Sequence, residues 1–323
     1  MRRGSGGLER ELTAEELERC VRSANPLNDA LFKYLFAAKG SEANLLRLLN
    51  DILGPKRGIV SLEYLDREND PRRHGGRSSY VDVLARSEDG RLCHVEVQLD
   101  KEVHFFERLV YYASISFFNQ LSTSEGYEKL RPVIFVSLMD FCLFPGRPAD
   151  WHSEHRILDV KDHRSYCDSL EFHFLELPKL RNLMADGGIE DTGLSRVLMY
   201  LGRMGGYPNM KSLVERDAGI ERLEEGVRSF FRERGNLALY KLREREETDY
   251  RNALKYAEAR GRSEGEARGE ARGEARGEAR GEARGRIGTA QNLIRMGLDL
   301  DKIAQATELP LEEIKAIKAR ISA

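Results

Sequence analysis

Apolar positions are spaced in two ways along this chain, and the changes between them mark out its parts. Residues 1–24 are polar, with Thr13 and Glu16 in capping-box spacing, and read as a short helix. From Asn25 the apolar density rises. In NPLNDALFKYLF, Leu31, Phe32, Leu35 and Phe36 share one helical face, with Asn28 or Asp29 at its start. A second helix runs from Ser41 through NLLRLLNDIL and stops at Gly54-Pro55. The period then falls to two. Residues 59–65 and 80–86 have strand character, and residues 91–99 (RLCHVEVQL) alternate most cleanly. Residues 105–121 predict an aromatic-rich helix, and 132–138 (PVIFVSL) form the continuous apolar run of a central buried strand. Residues 172–177 predict one more strand, ending at Pro178. The expected fold is a mixed α/β core over residues 25–180.

Beyond residue 180 the chain turns helical and charged, giving an extension over 181–263. Residues 264–285 then repeat Glu-Ala-Arg-Gly. Four residues advance a helix by about 400°, so like residues drift around the axis and form no fixed stripe. Like charges fall at i,i+4, and each glycine costs about 1 kcal/mol against alanine. A weak solvated helix and a flexible spacer both fit. Residues 286–323 regain a pattern, with Leu293, Leu298, Ile303, Leu309, Ile314 and Ile317 facing inward in short helices broken at Gly297 and Pro310. The outline is that of a helix-turn-helix. DNA binding and a small oligomerisation or docking unit are the two readings. Glu312-Glu313 would face phosphates at the start of the second helix, which weighs against the first.

Composition narrows the class. The 323 residues are 41% hydrophobic and 33% charged, with a net charge of −2, so any contact with nucleic acid must be local. No stretch approaches the roughly 20 apolar residues of a membrane span, and the charged N-terminus lacks the apolar middle of a signal peptide. A cytoplasmic location is expected. Cys20, Cys93, Cys142 and Cys167 are scattered and form neither a disulfide framework nor a zinc pattern. His152 and His155 within WHSEH lack the further ligands that zinc needs. Glycine-rich phosphate loops and GxSxG are absent, which removes ATPase and serine hydrolase readings.

The chemistry points to the hairpin. Glu88, Asp89 and Gly90 suit a three-residue loop with Gly90 left-handed, so Ser87 pairs with Arg91. That register sets Asp82 opposite Glu96 and Tyr80 opposite Gln98 on one face. Val81, Val83, Val95, Val97 and Leu99 take the other. Two opposed carboxylates repel unless a cation sits between them. Mg²⁺ or Mn²⁺ suits such oxygen ligands, and a solvent-facing acidic strand is the plainer alternative.

Asp29 in DALFKYLF, the hairpin YVDVLARSEDGRLCHVEVQL, the helix RLVYYASISFFNQL and the strand RPVIFVSLMDFCLF together resemble the PD-(D/E)XK nuclease family transposases, relatives of the recombination-promoting nucleases. FHFLELPKL and the terminal MGLDLDKIAQATELPLEEI resemble tails of that group. The resemblance implies a restriction-endonuclease-like mixed sheet flanked by helices, followed by a helical C-terminal extension. It implies a Mg²⁺-dependent (or Mn²⁺-dependent) DNA endonuclease, with Asp82, Glu96 and the Val97 carbonyl as metal ligands. Gln98 stands where many superfamily members carry lysine; it can hydrogen-bond a water or phosphate oxygen but supplies no positive charge. The proline of the family's name is replaced by Val81. Asp29 becomes the candidate upstream acid, with helix capping as its other reading. Arg72, Arg73, Arg77 and Arg108 are candidate nucleic-acid contacts, while Tyr111 and Tyr112 read as packing residues. The alternative function is a degenerate nuclease fold serving as a DNA-binding or assembly module, with a homo-oligomer formed through the C-terminal helices.

Overall fold

The computed structural model describes residues 11–65 and 82–322. Helix α1 (Ala14–Ser23) starts at the expected capping box, Thr13 and Glu16 exchanging backbone-to-side-chain hydrogen bonds. Helices α2 (Asp29–Phe36) and α3 (Glu42–Leu53) follow. Asn28 caps α2, its side-chain oxygen accepting the N–H groups of Ala30 and Leu31. Gly54 ends α3 at φ +73°, a conformation glycine adopts without steric cost. Next come β1 (Leu62–Tyr64), β2 (Val83–Ser87), β3 (Leu92–Gln98), α4 (Phe105–Phe118), β4 (Val133–Met139), β5 (His152–Arg156) and β6 (Leu170–Glu176).

The six described strands form one mixed sheet in the order β1-β2-β3-β4-β6-β5. β1, β2 and β3 are antiparallel neighbours, β3, β4 and β6 run parallel, and β5 closes the far edge antiparallel to β6. β4 lies inside the sheet and every residue of it is buried, as its unbroken apolar run predicts. The local pattern does not predict β5. Its sequence, His-Ser-Glu-His-Arg, carries no apolar alternation, and only Ser153 is buried, so its pairing with β6 defines it.

Each face of the sheet packs a separate layer. Val83, Ala85, Cys93, Val95, Ile134, Val136 and Leu138 point into the larger core with α1, α2 and α3. Leu92, Val133, Phe135, Met139 and Phe174 face Phe105, Leu109 and Ala113 of α4. That spacing of four leaves Tyr112 partly buried at the flank and turns Tyr111 outward, 55% exposed, so only Tyr112 packs.

Helices α5 (Leu177–Ala185), α6 (Gly193–Leu201), α7 (Gly206–Arg216) and α8 (Ala218–Arg232) continue the larger core. Leu198, Tyr200, Leu213, Ile220, Val227 and Phe230 are buried in it beside Leu17 and Val21 of α1. A buried ion cluster ties this layer together: Asp217 caps α8 and takes Arg47 of α3 and Arg196 of α6. The hydrogen bond from Arg47 holds the Asp217 carboxyl well below the usual carboxylate range. Packing therefore shows no break at residue 180.

Helix α9 (Asn236–Arg295) runs without interruption through the Glu-Ala-Arg-Gly repeat, whose side chains are exposed. Alanine, glutamate and arginine are strong helix formers, and their preference outweighs the periodic glycines. The chain divides into two compact units, Met1–Thr248 and Asp249–Ala323. Within the second, α10 (Leu300–Thr307) and α11 (Leu311–Ser322) bury Ile303, Ile314 and Ile317 with Ala290. Leu293 and Leu309 pack against these as expected, whereas Leu298 is 41% exposed just after the turn at Gly297.

Candidate functional site

The hairpin has the register that its loop residues predict. Gly90 has φ +89°, Ser87 N–H donates to the Arg91 carbonyl at 3.0 Å, and Val83 pairs with Val95. One further step along this ladder brings Asp82 level with Glu96. β2 begins only at Val83, however, and Asp82 sits in a bend. Its carboxylate takes over the role of a ladder partner, Oδ2 accepting the Val97 N–H at 2.8 Å. In a strand the N–H and C=O of one residue point to the same side. The Val97 carbonyl is thereby aimed toward the side on which Asp82 lies.

Glu96 lies on the α4 face of the sheet and is 3% exposed. Its Oε1 accepts from Arg108 Nη2 at 2.8 Å and from the Gln98 carboxamide, while Oε2 is buried with no hydrogen-bond partner among the described residues. Burial pushes the Glu96 carboxyl up to about 7. Asp82 and Glu102 add repulsion, and the Arg108 charge and the Gln98 hydrogen bond only partly offset these effects. Two neighbouring polar groups on this face also lack partners among the described residues: Ser137, across from Glu96 on β4, has a buried hydroxyl with none. His94 stacks on Phe135 with ring centroids 5.3 Å apart, and neither ring nitrogen has a hydrogen-bond partner among the described residues. Burial lowers the His94 ring to about 4, so it is neutral at physiological pH.

The other predicted residues fall in three places. Asp29 is not the cap of α2, which Asn28 provides; its carboxylate instead pairs with Lys33 one turn on and lies 3.2 Å from Arg243 Nε of α9. Arg108, read from sequence as a nucleic-acid contact, is directed inward, spanning Glu96 and Glu102. Arg72, Arg73 and Arg77, like Tyr80 and Val81, lie outside the described residues. Lys33 joins Asp82 from α2, where the sequence alone gives it no role. Its ammonium reaches Asp29 and stands 3.5 Å from Asp82 Oδ1. The available signal was the i,i+4 spacing of Asp29 and Lys33, which sets both on one side of α2.

A second acidic group lies at the other side of the sheet. Glu154, Glu171 and His173 bring ligand-type atoms within 4.8 Å of one another. Two guanidinium groups already occupy it: Arg57 and Arg156 each pair with both glutamates, and His173 bonds to Glu171 and to His152. Against its burial, His173 and the two arginines hold Glu171 below the usual carboxylate range. This cluster is internally neutralised and leaves little for a cation to do.

No curated protein and no solved structure matches the chain. A family model described as PD-(D/E)XK nuclease family transposase matches residues 26–257. The match takes in α2, the acid-bearing hairpin and the helices α5–α8 that share its core. With most of its length covered, and with a mixed sheet flanked by helices in the restriction-endonuclease-like manner, the chain belongs to the PD-(D/E)XK nuclease family transposases.

Proposed function

We propose that the protein is a divalent-metal-dependent DNA endonuclease that hydrolyses phosphodiester bonds, as befits a nuclease tied to recombination or a mobile element. The observation that carries this reading is Glu96, a buried carboxylate with one oxygen that has no hydrogen-bond partner among the described residues, raised toward neutrality by burial and by repulsion from Asp82. A buried carboxylate that one shared guanidinium only partly compensates is costly to retain. A hard cation relieves it. Asp82, Glu96 and the Val97 carbonyl form a set suited to Mg²⁺ or Mn²⁺, which accept one or two carboxylates and keep several waters. Such an ion, when bound, polarises a phosphodiester and lowers the pKa of a bound water.

The chain's own residues prepare the ligands. Arg108 and Gln98 both bond Glu96 Oε1, which orients the carboxylate and leaves Oε2 available. The Val97 amide fixes Asp82 in the same way. DNA as the substrate rests on the family, and the remaining helices provide no separate argument for it. No helix among the described residues is long and apolar enough to cross a membrane.

Nicking of supercoiled plasmid tests the proposal. Wild-type protein cleaves with Mg²⁺ or Mn²⁺ and stops with EDTA, while Asp82→Ala and Glu96→Ala are inactive. Cleavage that survives either substitution comes from another site and defeats the assignment. Plasmid binding without cleavage under either metal favours a degenerate fold acting as a binding module.

A further inference from the structure

The strand position that Gln98 occupies leaves this site without the positive charge a lysine there would bring. Gln98 is also occupied, since its carboxamide donates to Glu96 Oε1. Arg108 is no substitute, because its guanidinium spans Glu96 and Glu102. We propose that Lys33 of α2 supplies the missing charge from a different element, directing an ammonium N–H at the phosphate of bound DNA. This rests on the endonuclease reading and adds a catalytic residue to it.

Four observations converge on Lys33. Its ammonium is 3.5 Å from Asp82 Oδ1, so the charge already stands beside one of the two acids. It is anchored by Asp29, and Asp29 in turn has Arg243 Nε 3.2 Å from its other oxygen. The side chain is 32% exposed, open to a ligand arriving from solvent, whereas Glu96 is 3% exposed. An ammonium has three donors, and the two acids engage two of them. Among the described residues nothing else pairs with the ammonium, so the third remains for an anion. A cation in this position attracts a phosphate oxygen and does not itself hold the metal ion. Asp29 is then a positioning residue that holds Lys33, and two cations already balance its charge. A surface ion pair within one helix would also join Asp29 to Lys33, but it would not require the approach to Asp82.

The test uses full-length protein carrying Lys33→Met, with Lys33→Gln in parallel so that one misfolded variant does not hide the result. Three quantities are read: plasmid cleavage rate, Mn²⁺ affinity by calorimetry, and affinity for a duplex oligonucleotide in Ca²⁺. Cleavage is expected to fall about 10²-fold or more, as when one preorganised donor is lost from a transition-state site. Mn²⁺ affinity is expected to hold or rise, and oligonucleotide affinity to fall. Adding Gln98→Lys to Lys33→Met is expected to recover at least about a tenth of the lost rate, because it returns a cation to the strand. Cleavage by Lys33→Met within about threefold of wild type overturns the role of Lys33 alone. Joint loss of Mn²⁺ affinity and cleavage also overturns it, since Lys33 would then serve only to build the acid site. A wild-type protein inert with every metal instead overturns the endonuclease reading on which the inference rests.

Discussion

Two glutamates in the central sheet, Glu96 on β3 and Glu171 on β6, are almost equally buried, at 3% and 7% exposed. Their surroundings differ in one respect. Glu171 meets Arg57, Arg156 and His173, and its carboxyl is held below the usual range. Among the described residues Glu96 has a single arginine, shared with Glu102, and one oxygen without a hydrogen-bond partner; burial and repulsion from Asp82 push its carboxyl up to about 7. Acidic clustering alone would rank the two sites together. The balance of charge separates them, because a carboxylate already neutralised by two guanidinium groups gains little from a cation, whereas one that a single shared guanidinium only partly compensates gains more.

The largest expected effect is on cleavage. Glu96→Ala should lower plasmid nicking by more than the roughly 10- to 100-fold that loss of even an outer partner of a metal ligand costs. Glu171→Ala should leave the rate per folded molecule within a few fold. Equal loss of nicking in the two variants would dissolve the distinction.

Stability should change in opposite directions with pH. Glu96 has a folded-state pKa raised from about 4.5 to about 7, so the folded protein binds the extra proton between these values. Its stability therefore falls as pH rises through that window, and the full cost is present above 7. At about 1.4 kcal/mol per unit, metal-free Glu96→Gln should be more stable than wild type by about 3 kcal/mol at pH 8. The gap should close near pH 4. Chemical denaturation in EDTA at the two pH values measures it, and a pH-independent gap would mean that the carboxylate is not strained.

Glu171→Gln should show the reverse. Its folded pKa is depressed, so its contribution is present above the ordinary carboxylate range and lost as pH falls through the folded value. At pH 7 the substitution should cost about 2–3 kcal/mol, below the roughly 3–5 of a fully buried pair because both arginines keep partial contact with water. Urea titration of the variant at pH 7 and pH 3 reads this, and an unchanged midpoint at pH 7 would show the ion cluster to be energetically idle.

Smallest of all should be the effect of removing residues 264–323. This segment belongs to the second compact unit, so the first should keep a cooperative thermal transition and its plasmid nicking. Loss of that transition would mean that the two glutamates depend on the second unit for their surroundings.

The sequence was informative wherever a local rule dictates geometry. Gly90 and the loop length set the register of β2 with β3, and alternation along β3 assigned Glu96 and Val97 to opposite faces. The capping box at Thr13 and the unbroken apolar run of β4 were equally direct. Where a residue has two local options, the sequence left the choice open: Asn28 or Asp29 as the cap, helix or spacer for the repeat.

Other features needed the assembled molecule. β5 is polar, and it is a strand only because β6 lies beside it. Helices α6–α8 look like a separate charged extension until their apolar faces are seen to close the core over α1–α3. Above all, the meaning of an acid depends on residues distant in the chain. Asp82 and Glu96 are close in sequence, but Arg57 comes to Glu171 from residues far upstream, and Lys33 comes to Asp82 from another helix. Periodicity and turn chemistry fix which way a side chain points, because those are short-range properties of the backbone. Whether a buried charge is compensated is a sum over everything packed around it, and only the folded chain can perform that sum.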